Sequence, residues 1–80
     1  MPPYEANKER AAEYHLTERE LEVLCLVCGG LGNKEAGAPL GIAAGTVRIH
    51  MMNARRKLDV RTNSGACLRA SERGVIRRVP

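Results

Sequence analysis

Four cations crowd one short stretch of the chain: Arg48, Arg55, Arg56 and Lys57 fall within ten positions, interleaved with Ile49 and Met52. Guanidinium groups pair in two-pronged fashion with phosphate or with the guanine edge, and an apolar side chain beside them suits the methyl of thymine. A second set of reactive residues is Cys25 and Cys28, spaced C-x-x-C, with Cys67 far downstream. That spacing serves redox or metal chemistry in some proteins. Here both thiols lie within an apolar stretch, where cysteine serves as a small core residue. A zinc site would need Cys67 and a histidine to converge on them. Three is an odd number, which argues against a disulfide framework and for reduced thiols. Catalysis has no support, because no nucleophile stands beside a base and no carboxylate pair sits where a pocket would form. The residues predict no cofactor, no metal and no small-molecule substrate.

Charge is distributed unevenly. Residues 1–47 carry four basic and seven acidic side chains, and residues 48–80 carry nine basic and two acidic ones, so net charges of −3 and +7 make up the total of +4. Such polarity is the electrostatic footprint of a nucleic-acid binder, although a basic face can also be merely solubilising. No apolar run approaches the ~18 residues of a membrane span. The first fifteen residues, MPPYEANKERAAEYH, are charged and lack the apolar centre of a signal peptide. The expectation is a cytoplasmic protein with no membrane partner.

The elements that must position the basic stretch are marked along the chain. Residues 1–15 read as a polar extension, with Pro2 and Pro3 disfavouring helix and residues 7–14 able to form a weak one. Thr17 and Glu20 have the spacing of a capping box, and Leu16 and Leu21 that of a hydrophobic staple. The helix they open buries Leu21, Leu24, Cys28 and Leu31, with Cys25 and Val27 widening the stripe, and stops at Gly29-Gly30. A short helix follows Gly32, with Asn33, Lys34 and Glu35 in its first turn. Gly37 costs it about 1 kcal/mol against alanine. Pro39 limits its length. Gly41 supplies a tight turn, and Ile42 a buried anchor. The next helix spans about Ala44 to Leu58. On a helical wheel Val47, Met51, Ala54 and Leu58 fall within about 60° of one another. Arg48, Ile49, Met52, Arg55 and Arg56 lie opposite, and His50, Asn53 and Lys57 flank the core stripe. A last helix starts at Thr62 or Asn63, carries Ala66, Cys67 and Ala70, and stops at Gly74. Val75 and Ile76 fold back on the core, and RRVP is a basic, frayed tail.

With the helices placed, residues 16–76 resemble the DNA-binding domain of LuxR/GerE-type regulators, also called the NarL/FixJ type. Leu16 to Leu24 read LTERELEVL, Gly30 to Ile42 read GLGNKEAGAPLGI, and Thr46 to Val60 read TVRIHMMNARRKLDV. Each run matches one block of that family's pattern at correct spacing without a gap. The resemblance implies an all-α, four-helix domain with a helix-turn-helix at its second and third helices. It implies a bacterial, nucleoid-associated regulator whose partner is double-stranded DNA. It also implies a homodimer through helix 63–73 on a two-fold symmetric site. Arg48, Ile49 and Met52 would face bases. Thr46, Lys57 and the pair Asn33 and Lys34 would lie near phosphates, with Arg55 and Arg56 on the same face. His50 takes a packing or phosphate role. Three departures stand out. Ala36-Gly37 replaces Ile-Ala, Ala43 replaces a serine cap and Asn63 replaces arginine. They predict a loosened scaffold helix and weaker DNA affinity. Region four of sigma factors shares much of the pattern, but His50 and the run Lys57 to Val60 favour the LuxR/GerE type. A second reading is a protein-interaction module that pairs with another regulator and modulates its DNA binding. Eighty residues hold this domain without a receiver or sensor, as a stand-alone regulator or a piece of a longer chain.

Overall fold

The structure, a computed structural model, describes residues 3–80, so the expectation for Pro2 lies outside the described residues. In chain order the elements are β1 (Tyr4–Ala6), α1 (Lys8–Glu13), α2 (Glu18–Cys28), α3 (Asn33–Gly37), a 3-10 turn (Ala38–Leu40), α4 (Ala44–Lys57), α5 (Asn63–Glu72) and β2 (Ile76–Arg78). The domain is mostly helical, as the patterning predicts: the helix that residues 7–14 could form is present as α1, and a two-stranded antiparallel sheet is added to the four helices of the domain.

The capping box at α2 is complete. The Thr17 hydroxyl accepts the Glu20 N–H at 3.1 Å, and the Glu20 carboxylate accepts the Thr17 N–H at 3.0 Å. Two of the first-turn donors that a helix leaves unpaired are thereby satisfied. α2 buries Leu21, Val23, Leu24 and Cys25, so the buried stripe is wider toward its start than predicted, while Val27 and Cys28 are half-buried. α4 behaves as the wheel requires: Val47, Met51, Ala54 and Leu58 are buried, and His50, Asn53 and Lys57 are half-buried along the flanks. Thr62 caps α5 by accepting the Gly65 N–H at 2.9 Å. Its Ala66 and Ala70 are fully buried, as are Val75 and Ile76 beyond it.

The connection between α3 and α4 is close-seated at Gly37. Pro39 ends α3 by turning the backbone into a 3-10 turn, and Gly41 adopts φ 67°, a left-handed conformation costly for other residues. Ala36 is fully buried. A Cβ on Gly37 would lie 2.3 Å from the Ile42 carbonyl oxygen and 3.2 Å from Val47 Cγ2. Glycine at position 37 therefore lets the backbone of α3 lie against the segment entering α4, where a methyl group would not fit. Ile42 is half-buried rather than the buried anchor expected.

Three further expectations give way. The segment before residue 16 is not a bare extension: β1 pairs with β2 in the register Tyr4–Arg78, Glu5–Arg77 and Ala6–Ile76, and Ala11 of α1 is buried. Arg77 and Arg78, expected in a frayed tail, belong to that ladder. Arg77 is ion-paired with Glu5, and the Arg78 guanidinium lies 5.8 Å from the Tyr4 ring centre. The thiols are not all reduced: Cys28 and Cys67 are joined in a disulfide, leaving Cys25 free and buried. An odd count excludes only complete pairing, and the fold brings the end of α2 against the middle of α5.

Candidate nucleic-acid interface

α4 presents its outer face to solvent across most of its length. Arg48 and Arg56 are exposed, as are Ile49 at 50% and Met52 at 46% of their full surface. Arg48, Ile49, Met52 and Arg55 line one shallow groove. Leaving about half of each apolar side chain in water forgoes about 1 kcal/mol apiece, so their place here favours an external partner. Arg55, Arg56 and Lys57 close the helix, where positive charge also complements the carbonyl end of its dipole. Geometry adds restraint. Arg55 donates to Asn63 Oδ1 at the start of α5, and Arg56 donates to Asn53 Oδ1 at 3.0 Å.

The remaining expected contacts lie at the N-terminal ends of α3 and α4. No side chain caps α4, as the alanine at position 43 predicts, and Ala43, Ala44, Gly45 and Thr46 are all exposed. At α3, Lys34 is exposed and Asn33 half-buried. The Glu35 carboxylate turns back to accept the Gly32 N–H at 3.0 Å, which occupies one of the amides that phosphate would otherwise meet.

Lys57 stands apart from the other predicted contacts. Its ammonium donates to Glu20 Oε1 at 2.6 Å, with the two side chains 29% and 6% exposed. Its charge is directed into the protein, pinning the end of α4 to the start of α2, and not free on the outer face. Burial alone would raise the Glu20 pKa. The bonds from Lys57 and from Thr17 outweigh it and hold the carboxyl below its ordinary 4.5. The wheel placed Lys57 on a flank, but its partner 37 positions earlier left no local trace. The same is true of Asn63 as the partner of Arg55, whose only signal was the departure from the family's arginine. Burial pushes the Cys25 thiol up to about 11, so it stays protonated and unreactive. Among the described residues no cluster of three or more His, Cys, Asp or Glu could hold a metal, and no helix is long and apolar enough to cross a membrane.

Comparison with known proteins agrees with this geometry. The model of the luxR family of bacterial regulatory proteins, GerE, matches residues 14–70. The transcriptional regulatory protein LiaR of Bacillus subtilis is 47% identical over 55 residues, covering 69% of this chain and 26% of that protein. The nitrate/nitrite response regulator NarP of Escherichia coli is 45% identical over 53 residues, covering 66% and 25%. MctR of Rhizobium johnstonii, a transcriptional regulatory protein, is 36% identical over 64 residues, covering 80% and 30%. The chain thus spans about a quarter to a third of the length of these relatives. No solved structure matches. The chain belongs to the luxR family of bacterial regulatory proteins. Its domain is the DNA-binding helix-turn-helix of that family, with α3 and α4 as the two helices of the motif, and the family is one of transcription regulators rather than enzymes.

Proposed function

We propose that the chain regulates transcription by laying α4 in the major groove of double-stranded DNA. The observation that carries this is the outer face of α4, where solvent-exposed Ile49 and Met52 stand among Arg48, Arg55 and Arg56. Arg48 is placed for bidentate contact with guanine, and Ile49 and Met52 for thymine methyls. Thr46, Arg55, Arg56, Asn33 and Lys34 flank them at the level of the phosphates. Lys57 acts indirectly, holding α4 on α2. Selection of bound duplexes from a random pool, followed by anisotropy titration at several salt concentrations, tests the reading. A selected sequence bound far more tightly than random DNA, with affinity falling steeply as salt rises, is expected. Binding to no duplex would overturn it.

The same reading includes pairing of two copies on a palindromic site through α5, with half-sites about one helical turn apart. Leu68 is 62% exposed on that helix. Arg69 on the same helix donates to the Leu58 carbonyl of its own chain at 3.0 Å. The seam is small, so the protein is a monomer or weak dimer in solution and pairs on DNA, where effective concentration is high. Sedimentation of free protein should show mostly monomer, and a palindromic duplex should saturate at two protomers.

A further inference from the structure

Cys28 closes α2 and Cys67 stands in the middle of α5, 39 positions apart in sequence, with Cα atoms 5.5 Å apart and the sulfurs bonded. Both residues are half-buried, whereas Cys25, one turn earlier, is buried. α5 packs against α2, α4 and β2. Its fully buried side chains are only two alanines, Ala66 and Ala70. Among the described residues its side-chain hydrogen bonds to the rest of the domain are Arg69 to the Leu58 carbonyl and Asn63 to Arg55.

We propose that Cys28 and Cys67 form a reversible peroxide-responsive site, whose closure clamps α5 onto the end of α2. The chemistry balances with a hydroperoxide as oxidant. One thiolate attacks a peroxide oxygen, the O–O bond breaks, and a sulfenic acid forms as the first water (or alcohol) leaves. The second thiol displaces the hydroxyl from that sulfur as a second water, forming the Sγ–Sγ bond. Two thiols lose two electrons, and the peroxide gains them. A dithiol reverses the step by thiol–disulfide exchange. Asn63 on α5 holds Arg55 of α4, so the clamp also steadies a side chain on the outer face. The site is independent of any DNA reading.

The test is made on the full chain, reduced with dithiothreitol and then treated with stoichiometric hydrogen peroxide. Thiols are blocked in denaturant, and the protein is digested for mass spectrometry. The expected product is an intramolecular Cys28–Cys67 link, lighter by two hydrogens, with Cys25 alkylated and dithiothreitol restoring all three thiols. Hydrogen exchange of α5 amides should quicken by about tenfold or more in the reduced chain. Cys67→Ser should take up no intramolecular link and should show the fast α5 exchange under both conditions. A link through Cys25, a bond between two chains, three free thiols after peroxide, or equal α5 exchange in both redox states would overturn the proposal. The wild-type mapping decides even if the serine variant fails to fold.

Discussion

Replacing Glu20 by glutamine isolates the interaction that fixes α4 to α2. The amide oxygen can still accept the Thr17 N–H, so the capping box survives while the charge facing Lys57 disappears. Removing one partner of a fully buried pair costs about 3–5 kcal/mol, and an exposed pair is worth about 0–1 kcal/mol. Here the carboxylate is 6% and the lysine 29% exposed. In the variant Lys57 can turn its ammonium toward water, so the expected loss is about 1–2 kcal/mol, or about 4–16 °C in melting midpoint for a domain of this size. The pH dependence gives the sharper check. The folded pKa of Glu20 lies below its ordinary 4.5, so between those values the unfolded chain binds more protons and stability rises with pH. The contribution is complete above 4.5 and is lost as pH falls through the folded value. Urea unfolding of both proteins, followed by circular dichroism across pH, should show a constant gap near neutrality that closes in acid. A gap equal at every pH, or none at neutrality, would refute the reasoning that the ion pair anchors α4.

Five other substitutions probe the interface and its scaffold. Arg48→Ala should cost about 1–3 kcal/mol on a selected site and relax preference at one base position, and equal loss on random DNA would make it a phosphate contact only. Arg56→Ala should lower the salt slope of binding by about 0.9 while Lys57→Ala leaves it unchanged and lowers stability, and a reduced slope for Lys57→Ala would return that residue to the interface. Gly37→Ala, which installs the family's own residue, should destabilise by about 1–3 kcal/mol because its Cβ meets the Ile42 carbonyl, as a urea midpoint would register. Asp59 adopts φ 59°, a left-handed conformation that glycine takes without strain, so Asp59→Gly should raise stability by about 0.5–1 kcal/mol, read as a higher urea midpoint.

Much of the scaffold was legible because it is written locally. The period of Val47, Met51, Ala54 and Leu58 orients α4 without reference to anything else in the chain, and it places Arg48, Ile49 and Met52 outward by the same stroke. Thr17 and Glu20 mark a helix start through a bond spanning three residues. What escaped the sequence depends on separation. The strands are three residues each, too short to show alternation, and they pair ends of the chain about seventy positions apart. The Cys28–Cys67 bond and the Lys57–Glu20 pair likewise join distant positions, which neither spacing nor composition encodes. The close approach at Gly37 is hidden for another reason: a glycine in a sequence does not say which backbone lies against it, and here that backbone is the Ile42 carbonyl.

The antiparallel pairing of Tyr4 with Arg78 means that the chain enters and leaves this domain at the same end of one short ladder, with Pro3 and Val79 hydrogen-bonded just outside it. Tension applied at the two ends would act on that ladder one rung at a time, like a zipper, and would open it at low force. The next obstacle is the covalent bond between Cys28 and Cys67. Once it carries the load, the segment between those two residues lies outside the line of pull. That segment contains α3, the turn at Gly41 and the whole of α4. An oxidised chain stretched from its ends would therefore lose its sheet and its outer helices while the helix-turn-helix remained mechanically unloaded. Reduction would place the same helices directly in series with the force.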